Sequence, residues 1–445
     1  MALVVATLAV ANAQSDAPAK TKPAQETWNL YYQATSIGMY HGWFPALYSG
    51  PLSLEANPER DVSLTTTLFL GFRFLSTQFY VDGEIAGGKG FSHVNGLANS
   101  ENGELPRVAS ATPKPYLARA YFTHDFGFGD DREMVESDAN QLAGTRPMKR
   151  YSISVGRFTL TDFFDNNRYS HDPRTQFLGW AAMYNGAWDY PADVRGYTWG
   201  WVHEFHTRNW SLRYGSGAEP KVANGPQFDR KIFINHGNVY EVERRHELRG
   251  HAGTVRVLGY DNHARAGNYV EATKLKASTL SPPDVTTTRR DGTLKYGFGV
   301  SWDQEITKDL GVFGRLGWND GKTESFAFTA IDRLASGGVS VTGSRWHRKD
   351  DTVGTLLTFS SLSGVHTAYL SQGGLDFLIG DGALSHGLET AWESYYSARL
   401  WKGFWTSFDV TRVANPAFNK DRGPVWMEML RLHIELGKDS FTGRP

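Results

Sequence analysis

Val62-Ser63-Leu64-Thr65-Thr66-Thr67-Leu68-Phe69-Leu70-Gly71-Phe72-Arg73-Phe74 puts Val62, Leu64, Leu68, Leu70, Phe72 and Phe74 on one parity, with Ser63, Thr65, Thr67, Gly71 and Arg73 on the other. A period of two marks a β-strand whose faces meet different surroundings. After Leu75-Ser76-Thr77 the alternation resumes, with Phe79, Val81 and Ile85 opposite Gln78, Tyr80, Asp82 and Glu84, which predicts a hairpin. The pattern recurs at Trp28–Tyr40, Tyr116–Phe126, Arg150–Phe158, Gly196–His206, Trp210–Ala218, Gly237–Arg245 and Thr254–Tyr260. It continues through Lys295–Ile306, Leu310–Trp318, Gly338–Gly343, Thr352–Ser361, Thr390–Leu400, Phe404–Thr411 and Trp426–Leu436. The count is roughly sixteen, an even number within the range of single-chain transmembrane barrels.

Connection lengths alternate as well. Short turns lie at Leu75–Thr77, Thr207–Asn209, Leu248–Gly250, Thr307–Asp309, Arg348–Asp350 and Trp401–Gly403. Long ones lie at His41–Asp61, Gly87–Pro115, Thr159–Arg195, Glu219–His236, His263–Leu294, Gly364–Glu389 and Arg412–Val425. Periplasmic turns and extracellular loops produce this alternation. Gly127–Lys149 is long where a short turn is due and reads as an ordered periplasmic insertion. Phe326–Leu334 and Leu370–Ile379 fit a strand or a short helix, which leaves the count open by one hairpin.

Composition agrees with an all-β, transmembrane antiparallel β-barrel. Mean hydropathy is −0.43, yet aromatic residues reach 13% and there are 47 glycines. A barrel gives this combination because only every second strand residue faces lipid. No apolar run approaches the roughly 20 residues of a transmembrane helix. A sandwich also has many short strands, but aromatic-tipped strands such as Tyr197/Trp199/Trp201 and polar faces bearing both arginine and carboxylate favour the barrel. Net charge is −1 and cysteine is absent, which argues against a nucleic-acid partner, a disulfide framework and a thiolate metal site.

Met1–Ala13 is apolar and ends Ala11-Asn12-Ala13, a signal-peptide pattern with cleavage before Gln14. It lacks a positive n-region, so the recorded start lies downstream of the true one or the sequence was trimmed. Residues 14–27 read as a disordered lead, 28–436 as the barrel and 437–445 as a C-terminal extension.

Thr161–Glu204 reads TDFFDNNRYSHDPRTQFLGWAAMYNGAWDYPADVRGYTWGWVHE. Its loop is too long for an ordinary connection and mixes aromatics with both charges. Asp172 as N-cap, Pro173 at the first position, Arg174–Tyr184 as body and Asn185-Gly186 as stop predict a short helix. An ordered loop of this kind needs walls. Folded into the barrel, it would narrow the channel and present Asp165, Asn166, Arg168, Arg174, Trp188, Asp189, Tyr190, Asp193 and Arg195 to a solute. The competing reading packs its aromatics against the wall and pairs its charges with one another; for each aromatic, packing is the favoured role.

The run FDNNRYSHDPRTQFLGWA…YNGAWDYPADVRGYTWG closely resembles the carbohydrate-selective (OprB-type) porins of Gram-negative outer membranes. Further matches are Asn29-Leu30, Asp284-Val285-Thr286, Lys295-Tyr296-Gly297-Phe298-Gly299 and Ala414-Asn415-Pro416-Ala417-Phe418-Asn419, in the family's order across nearly the whole chain. The resemblance implies an inward constriction loop and assigns no role to single residues. Family members usually close the last strand with an aromatic residue, where this chain has Leu436 followed by GKDSFTGRP.

About sixteen strands leave an aqueous lumen, where eight would be filled by side chains. Parity turns Arg73, Asp82, Glu84, Arg119, Asp125, Glu204, Arg213, Glu241, Glu243, Arg315, Glu393, Arg399, Asp409, Arg431 and Glu435 inward. An anion pore wants a basic lining and a cation pore an acidic one. Guanidinium donors beside carboxylate acceptors instead suit sugar hydroxyls, which donate and accept.

Asp162-x-x-Asp165-Asn166-Asn167 is oxygen-rich but lacks the spacing of a calcium loop. His203 and His206 lie on opposite strand faces and cannot chelate together. The expectation is a passive outer-membrane porin for mono- and short oligosaccharides, without metal, cofactor or energy source. Its partners would be sugars, outer-membrane lipid and lipopolysaccharide, and the barrel-assembly machinery, with monomer or homo-oligomer left open. The rivals are a general diffusion porin, a lipase-like barrel enzyme needing an outward Ser/His pair, for which no compelling set exists, and a plugged structural barrel.

Overall fold

In lipid every backbone N–H and C=O must be paired within the protein, so an array of half-apolar strands is stable only when it closes. The computed structural model, which describes residues 25–104, 111–276, 281–438 and 440, shows that closure. β1 (Trp28–His41), β2 (Glu59–Phe74), β3 (Thr77–Gly87) and β4 (Lys114–Gly127) begin the barrel. A separate hairpin of β5 (Arg132–Val135) and β6 (Gly144–Pro147) then intervenes. β7 (Arg150–Phe158), β8 (Thr198–His206), β9 (Trp210–Ala218), β10 (His236–Leu248), β11 (His251–Ala266) and β12 (Arg290–Thr307) resume the wall. β13 (Leu310–Asn319), β14 (Arg333–Gly343), β15 (Arg348–Ser361), β16 (Glu389–Trp401), β17 (Phe404–Ala414) and β18 (Val425–Leu436) complete it. Each of the sixteen wall strands is antiparallel to both neighbours, and β18 returns to β1 with Ile37 opposite Arg431.

The alternation read in Val62–Phe74 is the division between the two surfaces. Val62, Leu64, Leu68 and Phe72 are exposed on the outside, whereas Ser63, Thr65 and Thr67 are buried inside. Phe69 breaks the polar series; it faces inward and lines the lumen. β14 starts at Arg333, ahead of the sequence expectation of Gly338, because Ala335, Ser336, Gly337 and Gly338 carry too little side chain to show alternation. The segment 326–332 is loop, and α3 (Gly364–Ser371) is helical. The wall therefore has sixteen strands.

At the loop end, α2 (Tyr269–Lys276) and α3 pack with Val285, Leu378, Ile379 and Phe418 into a core that also takes in Ala181 and Ala187 of the long loop after β7 and Leu334 of β14. At the turn end, the insertion 128–149 is ordered, as read from the sequence. Its strands β5 and β6 pair at the root, and a two-residue turn between Asp138 and Gln141 forms the tip.

The signal-peptide reading (1–13) and residues 14–24 of the lead lie outside the described residues, as do 439 and 441–445 of the C-terminal extension. The last residues of the lead are tied down: Glu26 N donates to Ala143 O at 3.0 Å, and Arg73 N donates to Thr27 O at 2.8 Å. Past Leu436, Lys438 Nζ donates to Trp28 O at 2.8 Å.

Candidate functional site

Residues 159–197 fold into the barrel, and inward-facing wall side chains hold them there through the backbone. Arg315 carries most of the load: Nε donates to Asp165 Oδ2 at 2.9 Å, Nη1 to Ala182 O at 2.7 Å, and Nη2 to Ser170 O at 2.6 Å and Met183 O at 3.0 Å. Arg431 Nη1 donates to Pro173 O at 2.6 Å and Gln176 O at 2.7 Å. The Glu393 carboxylate accepts from Leu178 N and Gly179 N, and Glu241 accepts from Asp165 N at 2.7 Å. Tyr260 Oη donates to Ala187 O at 2.8 Å, and the Asn262 amide donates to Asp189 O. Hydrogen bonds to charged groups contribute about 1.5–3 kcal/mol each, and a buried charge left unpaired is costly. The loop and these wall charges therefore require one another.

These clamps shorten the predicted helix. Asp172 starts a turn, its carboxylate accepting from Arg174 N at 3.0 Å and its carbonyl from Gln176 N at 2.8 Å. Only Trp180–Met183 becomes helical, as α1. The carbonyls of Pro173 and Gln176 and the amides of Leu178 and Gly179 bond to Arg431 and Glu393, so the wall satisfies groups that a helix would have paired internally. Local propensity is a weak prior against such partners.

The side of the lumen away from the β13–β18 clamps stays open. A cavity of about 940 Å³ runs along β1–β4 and β7–β12, bounded by the loop and by the insertion. Side chains of alternating sign cross its wall from strand to strand. Asp125 on β4 neighbours Arg150 on β7 at 4.0 Å; Glu204 on β8 binds Arg213 on β9 at 3.1 Å; Arg213 binds Glu243 on β10 at 3.1 Å. Glu243 binds Arg256 on β11 at 3.2 Å, Arg256 binds Asp303 on β12 at 2.7 Å, and Arg168 of the loop lies 4.0 Å from Asp303. A register that sets Glu204 opposite Arg213 and Glu243 opposite Arg256 builds this series.

A second cluster closes the narrow side. Glu84 accepts from Thr67 at 2.6 Å, from Tyr116 and from Tyr197 at 3.3 Å, and pairs with Arg174 at 3.2 Å. Arg174 also binds Glu104 at 2.9 Å and Gln33 at 2.7 Å. Burial pushes the Glu104 carboxyl up to about 7 against the pull of Arg174. Burial likewise opposes the Arg174 charge, but Glu104, Glu84 and Asp172 outweigh it and hold the guanidinium above its ordinary value. Arg119 bridges Asp82 at 3.2 Å and Asp162 at 2.6 Å, and Arg195 lies 3.7 Å over the Tyr116 ring.

Of the nine loop residues singled out from sequence, Asn166, Arg168, Arg174, Tyr190 and Arg195 line the cavity. The other four face elsewhere. Asp165 is bound to Arg315, and Trp188 packs against Phe164, Tyr184 and Tyr190. Asp189 pairs with Lys295 at 3.1 Å and accepts from Phe326 N and Ala327 N; Asp193 pairs with Arg157 at 2.6 Å. Among the wall residues, Arg73, Arg119, Glu204 and Arg213 line the cavity. Asp82 and Glu84 are buried in the clusters just described, while Arg315, Glu393 and Arg431 are covered by the loop. Arg399 pairs with Asp350 at 3.3 Å at the turn end. Parity turned these groups inward without showing which would meet the loop. Glu104, Arg256 and Asp303 escaped selection, although the register sets Arg256 opposite Glu243 and the parity of β12 turns Asp303 to the same face.

The sequence matches the profile described as carbohydrate-selective porin, OprB family, over residues 56–436. No curated protein sequence matches. Among solved structures, the high-pH form of Pseudomonas putida OprB superposes with a TM-score of 0.68 at 13% identity, covering 92% of this chain and 94% of that one. Pseudomonas aeruginosa OccK2 (OpdF) gives a TM-score of 0.47 at 9% identity, covering 92% and 98%. The P. putida likeness supports the sixteen-stranded fold, and the profile match spans most of the barrel with its inward loop and charged lumen: the chain belongs to the carbohydrate-selective porin (OprB) family of the Gram-negative outer membrane.

Proposed function

We propose that this porin passes neutral mono- and short oligosaccharides by diffusion, through serial weak contacts with one wall of an off-centre channel. The observation that carries this reading is the alternating series Asp125, Arg150, Glu204, Arg213, Glu243, Arg256, Asp303 and Arg168. Each step offers donors beside acceptors, which a sugar hydroxyl can satisfy in either sense, and no stretch of one sign holds an ion. From the loop, Asn166, Arg168, Arg174, Tyr190 and Arg195 supply the contacts; from the wall, Arg73, Arg119, Glu204 and Arg213. Conduction requires binding strong enough to favour entry and weak enough to permit exit. Buried Asp165, Trp188, Asp189 and Asp193 shape the channel by fixing the loop.

Single-channel current in planar bilayers, titrated with glucose and its short oligomers, tests the proposal. Saturable block is expected, weakened several-fold by Arg213→Gln. Steady current at all sugar concentrations would leave a general diffusion porin, as would equal liposome swelling in sugars and amino acids of similar size.

A further inference from the structure

The insertion between β4 and β7 does more than lengthen a turn. Its tip is drawn into the barrel: Asn140 is left-handed at φ 54° and its Nδ2 donates to Asp82 Oδ2 at 2.8 Å, in the middle of β3. Its flanks are fixed from three directions. Asn29 Nδ2 lies within hydrogen-bond distance of Asp138 O (3.1 Å) and Gln141 O (2.8 Å), Arg73 donates to Leu142 O at 3.1 Å and Ala143 O at 3.0 Å, and Ala143 N donates to Glu26 Oε2 at 2.8 Å. Asn140 and Gln141 line the same cavity as the constriction loop. Among the described residues, two buried polar atoms on cavity-lining side chains make no hydrogen bond: the acceptor Asn140 Oδ1, and the donor Arg150 Nε, which has only Asp125 Oδ1 at 4.0 Å. Asp82 joins the two edges of the cavity, since Asn140 binds it from one side and Arg119 binds both it and Asp162 of the loop from the other.

We propose that the tip of the periplasmic insertion is a second sugar-contacting ring, in series with the constriction loop. A hydroxyl-rich solute that has passed the loop is held between Asn140 and Gln141 on the insertion and Arg73, Gln78, Asp125 and Arg150 on the wall. At about 940 Å³ the chamber between the rings falls in the range of small-molecule sites, about 300–1,000 Å³. Sugar hydroxyls, donors and acceptors at once, suit the amides of Asn140 and Gln141 and the charged side chains across the cavity from them. The Asn140–Asp82–Arg119–Asp162 chain keeps the rings at a fixed spacing. The inference rests on the sugar-channel reading above.

The chain has no cysteine, so a single introduced thiol reports one position. Asn140→Cys and Gln141→Cys barrels, reconstituted in planar bilayers, are treated with a cationic thiosulfonate with and without a glucose trimer. Modification is expected to reduce single-channel current, and the trimer to slow it. Asn140→Ala and Gln141→Ala should each weaken trimer block about fivefold, as loss of one hydrogen bond would, each block being read against that variant's own current in plain salt. If the trimer blocks the wild-type channel while neither alanine variant alters the block and neither thiol is protected, the second ring is refuted and the sugar channel stands. If the trimer fails to block the wild-type channel, both fall.

Discussion

Arg174 and Glu104 show how a single buried pair sets the character of the constriction. Glu104 has a folded-state value of about 7 against an ordinary 4.5. Between those limits the folded protein binds the extra proton, so this group contributes less stability as pH rises from 4.5 to 7. For permeation the sense is direct. Below pH 7 Glu104 loses its charge while Arg174 keeps its own, and the constriction gains net positive charge. Reversal potentials in a salt gradient should shift toward anion selectivity as pH falls through 7, and Glu104→Gln should remove that step. An unchanged titration in the variant would place the responsible group elsewhere. Arg315 stands at the other extreme: it is 1% exposed and binds a carboxylate and several loop carbonyls. Arg315→Ala strands Asp165 without a counter-ion, which costs about 3–5 kcal/mol. Lower resistance to denaturant should accompany a larger, noisier single-channel current as the loop loosens; a stable variant with native current would refute the clamp.

At the scale of elements, what the sequence disclosed and what it withheld divide along a physical line. The strands were legible because lipid outside and water inside impose a two-residue period that Val62–Phe74 displays almost without interruption; where side chains shrink to Ala335-Ser336-Gly337-Gly338, the signal fades and β14 lost its first half. Loop 159–197 was legible as an inward element from its composition and family resemblance. Its local conformation was not, because Arg431 and Glu393, hundreds of residues away, intercept the carbonyls and amides that Arg174–Tyr184 would have used for a helix. For the same reason Asp165, Asp189 and Asp193 cannot be told from lumen-facing charges by type or spacing, since their partners Arg315, Lys295 and Arg157 lie on other strands.

The extracellular cap illustrates a tertiary pairing of the same sort. His366 of α3 lies 3.2 Å from Asp332 and 3.2 Å from Asp376 and stacks on Tyr269 of α2. Burial works against the imidazolium, but the two carboxylates prevail and raise it to about 9 from 6.5. A raised value of this kind gives stability that is complete below pH 6.5 and disappears as pH climbs through about 9. Proteolysis in the cap should be slower in wild type than in His366→Gln at pH 6.5, with the difference vanishing above pH 9. A difference that persists at higher pH would exclude the imidazolium as its source.

Seen as a whole molecule, the barrel is asymmetric. Arg315, Glu393 and Arg431 on β13, β16 and β18 are covered by the loop they hold, whereas Arg119, Asp125, Arg150, Glu204, Arg213, Glu243, Arg256 and Asp303 on β4 and β7–β12 meet the channel in equal numbers of each sign. Little ion selectivity is expected above pH 7. Arg213→Gln leaves Glu204, Glu241 and Glu243 short of a shared partner, so the channel should become cation-selective and the barrel less stable. A reversal potential that stays near zero in this variant would refute the assignment of these charges to the channel wall.

The seam between β1 and β18 places a demand on time. Thr35 Oγ1 meets His433 Nδ1 at 2.9 Å across 398 positions of sequence, so a growing chain cannot close its wall until its last strand has been delivered. Until then two strand edges stand open, each a template for pairing with a stranger, and long-range strand pairing is intrinsically slow. The order in which the chain is made thus sets an interval during which the edge of β1 exists without the strand that completes it.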